Sequence, residues 1–128
     1  MPVKILAALI DEAGLGAAAE KVGESMYRLK WGSATLITGT VGEGIVVIAP
    51  MFDSPPKTNR EAFYKRLLEI NSEMGGTATL ALGPDGAIVL QVGRGIKGLD
   101  SHEFGLMLGT VGRFADEYDN RLEQEFYT

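Results

Sequence analysis

Three glycines in the stretch "VGRGIKGLDSHEF" fall at positions 93, 95 and 98, the G-x-G-x-x-G spacing that lets a backbone close around a pyrophosphate. A dinucleotide site needs more than that spacing. The loop must open a βαβ unit, the phosphates must meet a helix N-terminus, and an acidic residue about twenty positions on must end the next parallel strand. Here the helical pattern after Gly98 runs to the end of the chain, so Asp116, Glu117 and Asp119, which stand at that distance, are helical themselves. Asp100 also puts a carboxylate where a phosphate would have to sit. The loop therefore reads as a strand-to-helix connection, and no cofactor is expected.

Other routes to chemistry close in the same way. His102 is the only histidine, and no serine stands in a G-x-S-x-G elbow. The chain has no cysteine, which removes thiolate nucleophiles, disulfides and cysteine–metal sites together. The adjacent carboxylates Asp11-Glu12 and Asp116-Glu117 point to different sides of a helix, and no calcium-loop spacing is present. The expectation is a non-enzymatic protein with no catalytic residue and no metal site.

Two features suit binding better than catalysis. Gly105, Gly109 and Gly112 fall on one side of the last helical segment, although each mid-helix glycine costs up to about 1 kcal/mol against alanine. Something must approach that side closely, either the domain's own sheet or a second subunit. Tyr27, Leu29 and Trp31 alternate with Arg28 and Lys30 and so share one face of a strand. That row either packs into the core or, on an uncovered sheet face, receives a partner peptide. These six residues are the candidate partner-binding set.

The elements that carry them follow from periodicity. Val3, Ile5, Leu6, Leu9, Ile10 and Ala13 recur at helical spacing, giving a first helix over 2–13, and Ala17 to Lys21 can resume a turn or two. "SMYRLKW" and "SATLITGTV" read as strands, with a bulge or bend at Gly32. Gly42-Glu43-Gly44 turns the chain into "IVVIAP", apolar on both faces and so expected at the centre of a sheet. Thr58 and Glu61 have the spacing of a capping box for a second helix, which carries Phe63, Leu67, Ile70 and Met74 on one stripe and stops at Gly75-Gly76. "TATLAL" and "AIVLQV" form a hairpin around Gly83-Pro84-Asp85-Gly86. Asp100 with Glu103, and Leu99 against Phe104, start a last helix with a stripe from Phe104 through Leu108, Val111, Ala115 and Tyr118 to Leu122. Consecutive hairpin-linked strands predict an α+β fold, an antiparallel sheet of about five strands with helices packed on it, in the order α-β-β-β-α-β-β-α.

Composition bounds the partners. The 128 residues suit a single domain over 1–128, and 45% hydrophobic with 23% charged residues suits a folded globular chain. Seventeen acidic against 12 basic residues give a net charge of -5, a field that repels phosphate backbones and anionic lipid. Neither nucleic acid nor membrane is expected as a partner. "MPVKILAALIDEAG" lacks a signal-peptide cleavage pattern and is too short to span a bilayer, so the expected location is cytoplasmic.

The path from "YRLKWGSATLITGTV" through "IVVIAP", "FYKRLLEIN" and "LGPDGAIVLQV" to "GLDSHEFGLMLGTVGRFADEYDNRL" resembles the YbjN-like and class I type III secretion chaperone-like superfamily. The matched region is about residues 27–122, and the glycine-rich last helix departs from the secretion chaperones. The resemblance implies helices on a twisted antiparallel sheet, in small acidic cytosolic proteins that are often homodimers. Its secretion chaperones hold an unfolded client segment on apolar patches without ATP, while the YbjN-like branch has been called regulatory. A protein-binding, chaperone-like or regulatory homodimer with a protein or peptide client is the expected function. The alternative is a small-ligand sensor or enzyme with a pocket beside Gly93 to Gly98, into which Arg94 or Lys97 would point.

Overall fold

The chain opens with α1 (Pro2–Glu12), whose Leu6, Leu9 and Ile10 sit at helical spacing and are buried. The structure, a computed structural model, describes residues 2–32 and 34–128. After Gly14, at φ 78°, the Leu15 carbonyl accepts from the Ala18 and Ala19 N–H groups, and the chain then enters β1 (Glu20–Gly23). The helix expected to resume at Ala17 to Lys21 is therefore a turn followed by a strand. All four residues of β1 are exposed, so no alternation of burial marks it.

β2 (Met26–Trp31) and β3 (Ala34–Val41) pair antiparallel, with Trp31 opposite Ala34. The bend expected at Gly32 is thus part of a hairpin turn, at φ 63°, and Ser33, which opens the "SATLITGTV" stretch, lies outside the described residues. β4 (Gly44–Phe52), α2 (Arg60–Met74), β5 (Thr79–Leu82), β6 (Ile88–Gly95) and α3 (Ser101–Phe126) complete the path. The fold is α+β, with one antiparallel sheet ordered β1-β2-β3-β4-β6-β5 and the element order α-β-β-β-β-α-β-β-α, one strand more than the sequence predicts.

β4 lies at the centre as expected, between β3 and β6. Its Ile45, Val47 and Ala49 are buried, while Val46 and Ile48 on the other face are only half-buried. Leu29, Leu36, Leu80, Ile88 and Leu90 extend the buried face across the sheet to meet Leu6 of α1, Phe63 and Ile70 of α2 and Phe104, Leu108 and Leu122 of α3. The helices therefore share one side of the sheet with the whole hydrophobic core.

The two predicted helix starts fare differently. α2 begins after Asn59, which is left-handed at φ 57° and makes no side-chain cap bond, so the Thr58–Glu61 capping box is not what opens it. Arg60 Nε instead donates to the Pro56 carbonyl at 2.9 Å. At α3 the Asp100 carboxylate accepts from the Glu103 N–H at 2.8 Å, while the Glu103 side chain reaches Arg94 instead of the Asp100 backbone. One half of that box is made, and Phe104 beside it is fully buried.

Candidate functional site

The two binding features read separately in the sequence meet in space. A Cβ at Gly112 would stand 2.8 Å from Trp31 Cδ1, and one at Gly109 would stand 3.9 Å from Trp31 Cζ2. The missing side chains make a bed on α3 for the indole at the end of β2. Tyr27 and Trp31 are half-buried against the core, whereas Leu29 between them is 1% exposed. A Cβ at Gly105 would meet nothing within 4 Å, so its part of the helix face is open.

The glycine motif is divided between two elements. Gly93 and Gly95 belong to β6 itself, and Gly98, at φ 80°, turns the chain into α3 after the Leu99 N–H has bonded the Ile96 carbonyl. The helix end that a phosphate would need already holds the Asp100 carboxylate. Beside the strand lies a cavity of about 410 Å³ walled by Gly76, Thr77, Gly93, Leu106 and Met107. Arg94 is the ionisable residue of its lining, 3.5 Å from Glu103, and Lys97 is not part of it. No acid–base pair faces this space.

A second groove of about 410 Å³ runs between α1 and the entry to α3. Ile5, Ala8, Leu9 and Leu99 make it apolar, with Lys4, Glu12 and Asp100 also lining it. Sequence reasoning missed it, although α1 gives a signal: Val3 and Ile5 widen the apolar stripe beyond what the core covers, and Ile5 stays 38% exposed. A third cavity, about 400 Å³, lies between Met51 of β4 and the carboxylates Asp116 and Asp119 of α3. Burial raises the pKa of Asp119, and the charges of Asp116 and Glu123 push the same way against a backbone hydrogen bond from Asn120. Among the described residues no cluster of three or more metal-ligating side chains forms.

Apolar grooves flanked by charge, on a sheet with one helical side, suit a protein that holds other chains. The profile of the Tir chaperone protein (CesT) family matches residues 4–111. The chain belongs to this family. Its fold is also that of a chain in the ExsC–ExsE complex, with a TM-score of 0.67 at 15% identity over 93% of this chain and 91% of that one. A chain of the heterodimeric ExoU–SpcU complex of the Pseudomonas aeruginosa type III secretion system gives 0.66 at 17% identity, over 94% of this chain and 97% of that one. A chain of the Yersinia pestis SycH complex with a YscM2 fragment gives 0.63 at 16% identity, over 91% and 98%. No curated protein sequence matches this chain. Among the described residues of this CesT-family chain no helix is long and apolar enough to cross a membrane.

Proposed function

We propose that this chain is a non-enzymatic cytoplasmic chaperone that holds an extended or unfolded segment of a client protein, acting as a single domain within a homodimer. The observation that carries the reading is the CesT-family match over residues 4–111, most of the chain. The apolar groove at Ile5, Leu9 and Leu99 gives the client a surface in line with it, and Tyr27 and Trp31 offer half-exposed rings on the same helical side of the sheet. Leu68 of α2, 70% exposed, and Leu82 of β5, 56% exposed, lie at the β5 end and suit burial by a second copy. Gly105 is the member of the glycine set still open to close approach, because Gly109 and Gly112 are occupied by Trp31 and Leu29 is in the core.

The test is affinity purification of the tagged chain from its native cell, in parallel with Ile5→Glu. A defined partner held by the native chain and lost from the variant supports the chaperone reading. Sedimentation at micromolar concentration should give twice the chain mass. A thermal-shift response to a nucleotide or metabolite, with no protein partner retained, would favour a small-ligand sensor beside β6 and defeat the chaperone reading.

A further inference from the structure

The sequence carries a helix start that the fold leaves unused. Thr58 and Glu61 have the spacing at which a threonine N-cap and a glutamate each accept from the other's N–H group. Such a box needs Asn59, the residue after the threonine, to be right-handed and helical. Asn59 instead sits at φ 57° and ψ 35°, the only non-glycine residue at positive φ among those described, and α2 starts after it. The Phe63 N–H bonds the Asn59 carbonyl at 2.9 Å, so the Glu61 and Ala62 N–H groups belong to a first turn that has no carbonyl four residues back within the helix. Thr58 and Glu61 are both exposed, so nothing buried keeps them apart.

A left-handed residue with a side chain persists only where its surroundings hold it there. Here they are the loop before it together with Phe126 and Tyr127. The Tyr127 hydroxyl donates to the Ser54 carbonyl at 2.7 Å, and its ring stacks on Phe52, the last residue of β4, with centroids 4.2 Å apart. Pro56 is the buried residue of the loop 53–59, and it lines a cavity of about 350 Å³ together with Phe126 and Tyr127. Its carbonyl accepts from Arg60 Nε at 2.9 Å. The loop is thus gripped at Phe52, Ser54 and Pro56, and Asn59 is the residue that joins this gripped path to the helix.

We propose that α2 has two alternative starts and that the docking of Phe126 and Tyr127 selects between them. With both docked, Asn59 is left-handed and the helix begins at Arg60. With both withdrawn, Asn59 turns right-handed and Thr58 becomes the N-cap. Its Oγ1 then accepts from the Glu61 N–H, its carbonyl accepts from the Ala62 N–H, and the Glu61 carboxylate accepts from the Thr58 N–H. Rotation at this one residue swings the loop away from Tyr127, so the box and the aromatic contacts exclude each other. Each arrangement satisfies groups that the other leaves open, which is what a two-state element requires. The switch goes beyond the client-holding reading and does not rest on it. Its second state uncovers the sides of Phe52 and of Phe63, now 0% exposed, against which Tyr127 and Phe126 pack. The coupling is reciprocal: whatever takes hold of Phe126 and Tyr127 favours the box, and a closed box loosens those two residues.

Amide hydrogen exchange of the full chain, followed residue by residue by NMR, tests the switch. Tyr127→Ala is expected to slow exchange at Glu61 and Ala62 by about tenfold or more, because both N–H groups gain an acceptor. A variant that only loosens the fold speeds exchange instead. Leu80, whose N–H bonds Asn71 near the other end of α2, should keep its native rate. Adding Thr58→Ala removes the Oγ1 acceptor and should return Glu61 to the native rate. Asn59→Ala, with Tyr127 in place, disfavours the left-handed state, so it should slow Glu61 and speed exchange at Tyr127, whose N–H bonds the Glu123 carbonyl. Unchanged or faster exchange at Glu61 in Tyr127→Ala overturns the proposal, since the aromatic contacts would then merely brace the loop. Lost protection at Leu80 overturns it too, because those contacts would hold the whole helix and not its start. Slow exchange at Glu61 that survives Thr58→Ala defeats the box by assigning the acceptor elsewhere.

Discussion

Gly112 and Trp31 show how a residue without a side chain can be specified by one with a large side chain. An alanine methyl at 112 would come within 2.8 Å of Trp31 Cδ1, closer than carbon atoms tolerate, so the indole must move. The better helix propensity of alanine offsets part of that, and Gly112→Ala is expected to lose about 1–2 kcal/mol. Gly105→Ala faces open space and should instead gain up to about 1 kcal/mol. Denaturant midpoints separate the two, and the emission of Trp31, the only tryptophan, should shift to the red in the first variant alone. Equal effects would mean that the indole does not rest on the glycines. Asp119 offers a second test. Its folded pKa is raised above the ordinary carboxylate value of 3.8, mainly by burial, so its contribution to stability is full below pH 3.8 and falls as the pH rises through the folded value. Asp119→Asn should therefore raise the midpoint by about 1–2 °C at pH 7, and the gain should vanish near pH 3. A gain that persists in acid would assign the effect to something other than the charge.

Asn71 does for a whole strand what caps do for helices. By meeting both the N–H and the C=O of Leu80 it stands in for a missing neighbour and closes the middle of the β5 edge. Asn71→Leu keeps the size but leaves both groups without a partner beside α2, which is expected to cost about 2–3 kcal/mol. The bare edge should also make the variant associate as its concentration rises, a change that light scattering detects. If Asn71→Leu is as stable and as dispersed as the native chain, the edge is closed by something else. Asn71 ends the stretch "FYKRLLEIN", yet its role depends on a strand that begins eight residues later, so spacing alone does not reveal it. The stripes of α2 and α3 and the hairpins at Gly42 to Gly44 and Gly83 to Gly86 were legible because each is a local pattern with a single geometric solution. β1 was not, since its four residues are all exposed and carry no alternation. The α1 groove was half legible. Ile5 widened the apolar stripe, but the opposite wall at Leu99 comes from the far end of the fold.

At the scale of the molecule α3 runs 26 residues on from Asp100 at the α1 groove, and aromatic contacts fix its far end. Tyr127 stacks on Phe52 with centroids 4.2 Å apart, Phe126 meets Phe63 edge-on at 5.2 Å, and the Tyr127 hydroxyl donates to the Ser54 carbonyl at 2.7 Å. The C-terminus thereby holds the loop between β4 and α2. Burial, helped by Tyr64, pushes the pKa of Tyr127 from 10.0 up to about 12. A folded value above the unfolded one means that its contribution is complete below pH 10.0 and is lost as the pH rises through about 12. Tyr127→Phe keeps the ring stack and removes both the hydrogen bond and the ionisation. At pH 7 it should be less stable than the native chain by about 0.5–1 kcal/mol. That gap should close between pH 10 and 12 as the native chain pays for keeping the phenol neutral, and then reverse. Paired urea titrations across that range measure the difference directly, and lysine ionisation, common to both proteins, cancels from it. A constant gap from pH 7 to 12 would mean that the hydroxyl is solvated and that the stacked rings alone hold the chain end in place.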